Sequence, residues 1–171
     1  MLRRMANVTR PRLEGTIAVR GGRRLGFASF GSPLGRPIFW MHGTPGARRQ
    51  IPLVAREIAD RDGLRIIGID RPGIGSSTPY VYPDLRDWVG DLEVLADTLG
   101  IDRFDVIGLS GGGPYVLAAG AALPHRVDKL AVIGGYHPVG QFLSNVGSLN
   151  RIIAPVTMAI KLHPVADKTK A

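Results

Sequence analysis

Cysteine is absent from the 171-residue sequence, which excludes disulfides, thiolate zinc sites and a thiol nucleophile and leaves the redox compartment open. Aromatic side chains are scarce, at 6%, and none lies among the basic residues of either chain end, so the base-stacking surface of a nucleic-acid binder is missing. No apolar run reaches the roughly 20 residues of a spanning helix. The most apolar stretch near the end, Ile152 to Ile160, is interrupted by Pro155 and closed by Lys161. The opening residues Met1-Leu2-Arg3-Arg4-Met5 run into Asn7, Thr9, Arg10 and Pro11, which is not the apolar core of a secretory signal. Internal repeats and low-complexity tracts are also lacking.

What is present fits one globular domain of cytoplasmic type: 44% hydrophobic and 21% charged residues in a length that one core can organise. The net charge of +8 sits at the ends. Residues 1–24 hold seven arginines against Glu14, and residues 151–171 hold four basic groups against Asp167. The body between them is balanced and offers no clustered cationic face for phosphates, so no nucleic acid is expected as a partner.

The order of elements is legible from periodicity. Thr16 to Arg20 and Arg23 to Phe30 predict two strands joined by a tight Gly21-Gly22 turn. Short continuous apolar runs at Pro37 to Met41, Arg65 to Ile69, Phe104 to Gly108 and Val127 to Gly134 predict strands buried on both faces. Between them, Leu85, Trp88, Val89, Leu92, Leu95, Ala96 and Leu99 predict a helix from Asp84 as N-cap to Gly100 at the C′ position. Pro52 to Asp60 and Pro114 to Leu123 predict two more. The alternation implies a mostly parallel sheet with helices on both faces, an α/β fold entered through an antiparallel hairpin. From Pro138 onward no further strand is expected. Residues 1–15 form a basic, flexible start, 16–137 the core, and 138–171 a lid-like segment and tail in which Arg151 to Leu162 reads as a lid helix.

Two motifs carry chemistry. Gly108-Leu109-Ser110-Gly111-Gly112 is a G-x-S-x-G that follows a strand directly and opens a helix. A serine on so tight a corner is held in a strained backbone that lifts its hydroxyl above the sheet, and a Cβ two positions away would collide. The helix N-terminus places partial positive charge where an oxyanion forms. The second motif, His42-Gly43-Thr44-Pro45-Gly46, ends the strand through Met41, on the sheet edge where ligands gather. Its backbone N–H groups are uncovered, and the Thr44 N–H with that of Gly111 makes a two-donor oxyanion hole. His42 reads as a histidine that fixes the loop rather than as a catalytic base, and with Gly43 and His137 it is a candidate for the pocket wall.

With these segments, and with Asp70-Arg71-Pro72-Gly73-Ile74-Gly75-Ser76-Ser77 after the intervening strand, the chain resembles the N-terminal part of an α/β-hydrolase fold protein over residues 16 to about 137. The resemblance implies Ser110 as nucleophile, Thr44 and Gly111 as oxyanion donors, residues 70–77 as a structural loop bordering the site, and a small carbonyl substrate with no cofactor and no metal. It also implies eight strands with a lid after the sixth and, after the nucleophile, an acid and then a histidine. The chain offers only His125, His137 and His163 after Ser110, with Asp128 and Asp167 as acids, and no convincing pair among them. The expectation is a hydrolase fold truncated inside its lid after about six strands. Such a chain is a weak or inactive serine esterase, or a non-catalytic domain completed by another chain, and its unpaired edge after Val127 to Gly134 favours dimerisation.

Overall fold

The computed structural model describes residues 10–134 and the backbone of 157–161. Seven strands form one sheet: β1 (Leu13–Val19), β2 (Arg23–Gly31), β3 (Arg36–Met41), β4 (Leu64–Ile69), β5 (Phe104–Leu109), β6 (Val127–Ile133) and β7 (Thr157–Lys161), in the order β1-β2-β4-β3-β5-β6-β7. The hairpin β1–β2 pairs antiparallel, with Gly21 and Gly22 both at positive φ in its turn, and β2 pairs antiparallel with β4. From β4 to β7 all pairs are parallel. Three helices connect them: α1 (Leu53–Asp62), α2 (Asp87–Thr98) and α3 (Gly113–Ala122).

The buried runs explain the layers, because successive side chains of a strand point to opposite faces and both faces here are apolar. Phe39, Met41, Ile67, Ile69, Val106 and Val132 face α2 and α3 and pack with Leu92, Leu95 and Val116. Phe39 and Phe104 meet edge to face, with ring centroids 4.8 Å apart. On the opposite face Phe30, Ile38, Trp40 and Ile66 pack with Ala59 of α1.

Several expectations are corrected. The first strand begins at Leu13, opposite Ser29, so residues 13–15 belong to the sheet rather than to a flexible start. Helix α2 begins at Asp87, not beside Asp84, because the Asp84 carboxylate accepts the Arg86 N–H and holds a separate turn there; Gly100 does follow its end at φ +67. A strand exists after Pro138: β7 pairs with β6 from Lys129 opposite Thr157 to Ile133 opposite Lys161. That strand replaces a lid helix at 157–161 and removes the unpaired edge from β6, whose backbone groups find ladder partners in a segment with β-branched Thr157 and Ile160. The remainder of 135–171, with His137, His163 and Asp167, lies outside the described residues. No helix among the described residues is long and apolar enough to cross a membrane.

Candidate active site

The chain leaves β5 at Leu109 and turns at Ser110, whose φ of +48° is the only positive value outside glycine among the described residues. L-residues with a Cβ rarely occupy that region, so the surroundings must impose it. They do so by close approach. A Cβ on Gly108 would stand 2.7 Å from the Gly112 carbonyl oxygen, and one on Gly112 would stand 2.3 Å from the Met41 carbonyl oxygen. The corner is thus pressed onto the end of β3, and only glycine fits on either side of the serine. Residues Ser110–Gly112 form one 3-10 turn that runs into α3. The Gly111 N–H lies in this first turn, where backbone donors have no acceptor within the helix.

The loop after β3 lies beside this corner: a Cβ on Gly43 would be 3.5 Å from the Ser110 Cβ, and one on Gly111 would be 2.6 Å from Thr44 Oγ1. Gln50 braces the loop, its Oε1 accepting the Gly43 N–H at 2.8 Å and its Nε2 donating to the Pro45 carbonyl at 2.9 Å. His42 is fully buried. Its Nδ1 is 2.7 Å from the Gly43 carbonyl oxygen, and its Nε2 accepts the Arg71 backbone N–H at 3.2 Å. Those partners assign the neutral tautomer with the proton on Nδ1. Burial pushes its pKa below the ordinary 6.5, and the Arg71 charge adds to this, against the opposing bond to Gly43. The unfolded chain therefore takes up this proton more readily, so the stability carried by neutral His42 is present above pH 6.5 and falls as the pH drops below it. The urea midpoint is expected to decrease as the pH falls from 7 to 5, and the His42 ring to titrate below 6.5 by nitrogen NMR; a ring that titrates at or above 6.5 contradicts this.

The loop after β4 wraps a buried carboxylate. Asp70 accepts the Arg48 N–H at 2.7 Å, the Arg48 guanidinium at 2.5 Å and the Ser76 N–H at 2.9 Å. The next residue, Arg71, reaches the site itself: Nη2 donates to the Gly43 carbonyl at 2.9 Å and to Thr44 Oγ1 at 2.5 Å, and Nη1 to the Gly111 carbonyl at 3.3 Å. Arg71 and Gln50 are the two site residues that sequence reasoning missed. Arg71 stood within a recognised motif directly after a strand, at the sheet edge where ligands gather, and that placement was the available signal.

Ser110, Gly111, His42, Gly43 and Thr44 thus come together at one edge, with Arg71 among them. Asp128 and His125 do not. Asp128 lies near the start of β6, paired with Arg103, and the exposed His125 precedes that strand at the opposite end of the sheet. Among the described residues no histidine bonds to the Ser110 hydroxyl, and no group of three His, Asp or Glu side chains could hold a metal.

A parallel-centred sheet that carries a strained serine at a strand-to-helix corner, facing a glycine-rich loop across the same edge, defines the α/β-hydrolase class of fold. The chain belongs to the alpha/beta hydrolase fold family, whose model matches residues 36–152. It is 33% identical over 124 residues to a proline iminopeptidase of Xylella fastidiosa, covering 71% of this chain and 39% of that protein. It is 32% identical over 172 residues to a proline iminopeptidase of Neisseria gonorrhoeae, covering 97% and 54%. Among solved structures, a hydrolase from Pseudomonas aeruginosa superposes with a TM-score of 0.64 at 20% identity, over 80% of this chain and 52% of that one, a likeness of fold. The chain spans about half the length, or less, of the curated relatives it matches.

Proposed function

We infer that the chain carries the nucleophile and the oxyanion donors of a serine hydrolase acting on ester-like or related carbonyl substrates. The observation that carries this reading is the positive φ of Ser110 between β5 and α3, because strain at a polar residue persists only where its surroundings over-determine it. In the proposed reaction Ser110 Oγ attacks the carbonyl carbon, its proton passing to a base. The carbonyl electrons move to oxygen, which the N–H groups of Thr44 and Gly111 receive. Collapse expels the alcohol or amine, which takes the proton back from the base, and water then cleaves the acyl-Ser110 ester.

His42 is not that base in this reading, since backbone groups occupy both its ring nitrogens. The base and its orienting acid are assigned outside residues 10–134, where His137 and His163 are candidates within the chain. The likeness to proline iminopeptidases supports testing an N-terminal prolyl amide as a substrate beside simple esters. The second reading, a non-catalytic hydrolase domain completed by another chain, is favoured by the lack of a hydrogen-bond partner for the Ser110 hydroxyl among the described residues.

The test is covalent. After reaction with a fluorophosphonate and digestion with trypsin, the adduct is expected on the peptide 104–126, in which Ser110 is the only serine. No adduct, or an adduct confined to other residues, overturns the nucleophile assignment. Comparing p-nitrophenyl acetate with a prolyl anilide then separates an esterase from a prolyl amidase.

A further inference from the structure

Among the described residues Arg71 makes several hydrogen bonds at the site and has no anionic partner. Arg48 pairs with Asp70 and Glu14, and Arg23 forms a fork with Asp91, whereas the Arg71 guanidinium among the described residues bonds to the neutral oxygens of Gly43, Thr44 and Gly111 and lies 3.5 Å from Nδ1 of the neutral His42 ring. Its Nε is buried without an acceptor. Arg71 is half-buried, and a cation that gives up part of its hydration without a counter-charge does so at a cost. The guanidinium carbon also lies 5.7 Å from the centroid of the Tyr115 ring, on the helix that follows Ser110.

What the guanidinium holds is informative. The Gly43 carbonyl and the Thr44 N–H belong to one planar peptide unit and point in opposite directions. Fixing the carbonyl therefore fixes the direction of the N–H. The Gly43 oxygen receives two donors, His42 Nδ1–H at 2.7 Å and Arg71 Nη2 at 2.9 Å, which pin the peptide plane and polarise its N–H. The same guanidinium holds the Gly111 carbonyl, on the far side of the site. One rigid planar fork thus spans the two loops from which the oxyanion donors project, and a lysine, as a point charge, does not reproduce it.

We propose that Arg71 is a positioning residue for oxyanion stabilisation, clamping the Gly43 and Gly111 carbonyls so that the Thr44 N–H is aimed at the carbonyl attacked by Ser110, with an unneutralised positive charge close behind it. The proposal rests on the serine-hydrolase reading for its consequence, though the clamp itself is a separate physical claim. The experiment measures two things on the full chain and on Arg71→Met and Arg71→Lys. The first is the second-order rate of fluorophosphonate labelling at Ser110. Loss of one oxyanion donor costs about 10²–10³-fold in known cases, so Arg71→Met is expected to label about 10²-fold more slowly, with Arg71→Lys recovering only a small part. Added guanidinium ion is expected to restore labelling several-fold in Arg71→Met and not in the parent, a response that loosened packing does not give. The second is hydrogen exchange, expected to quicken in Arg71→Met at residues 43–46 and 110–112 and to stay unchanged in β1, β2 and α2. Labelling of Arg71→Met at the parental rate overturns the proposal. If the parent itself is not labelled, the serine-hydrolase reading fails, and exchange alone then judges the clamp: unchanged protection at both loops overturns it.

Discussion

Ser110→Ala is expected to abolish fluorophosphonate labelling entirely and to leave the fold intact. The substitution removes one oxygen and keeps the Cβ, so the close contacts of Gly108 and Gly112 that shape the corner are unaltered. Far-UV circular dichroism and the melting temperature should therefore match the parent. Hydrolysis of an activated ester separates nucleophile from surroundings, because triads that lose a member retain roughly 10³–10⁴-fold acceleration over water from the oxyanion hole and binding alone. Any hydrolysis that survives in Ser110→Ala should thus show no burst and no covalent intermediate. The rate of the parent chain reports how well its hydroxyl is served by a base. Slow turnover agrees with a site whose base is poorly placed or supplied from elsewhere. Rapid turnover requires one of His42, His137 or His163 to act, and replacing each by glutamine identifies it. Labelling that persists in Ser110→Ala refutes the nucleophile.

The second large effect concerns Asp70, which makes no contact with the candidate nucleophile. Its carboxylate is fully buried and accepts three donors from Arg48 and Ser76. The space around it is filled by design of the backbone: a Cβ on Gly75 would lie 2.2 Å from Oδ2, and one on Gly26 would lie 2.6 Å from it. Asp70→Ala leaves two backbone N–H groups without an acceptor and removes the buried half of an ion pair. Removing one partner of such a pair costs about 3–5 kcal/mol, well above the about 1 kcal/mol of an ordinary surface change. Urea unfolding should show that loss; a decrease under about 1 kcal/mol would show that water reaches the loop and replaces the carboxylate. Asp70→Asn should fall between, since it keeps one acceptor and turns a second position into a donor facing donors.

The parts of this fold that were legible from residues alone are those where local pattern and burial agree. Ile38 to Met41 is covered on both faces, so an unbroken apolar run marks it as a strand whatever the loops do, and Phe104, Val106 and Ile107 mark β5 in the same way around the one polar residue Asp105. The corner at Ser110 was legible for a similar reason, because glycine on either side of a serine between strand and helix encodes close approach directly. The strand Thr157–Lys161 was not, because five residues among Pro155 and Pro164 carry no period of their own and are defined by the ladder that β6 offers. Arg71 and Gln50 were missed for a different cause. Their roles depend on meeting Gly43, Thr44, Pro45 and Gly111 across loops, and an arginine or glutamine in a turn carries no local mark of the oxygen it will reach.

The strand order also governs when reactivity arises during folding. Strand β3 lies between β4 and β5, so Trp40 pairs with Ile107 only after the intervening β4, α1 and α2 have closed a long loop. Loop closure of that length opposes early contact, and pairings so distant in sequence form late. The Thr44 loop and the Ser110 corner hang from the two sides of this one pairing. A refolding chain should accordingly regain helix and strand signal before Ser110 becomes competent to react, which makes covalent capture of that serine a clock for the last long-range step.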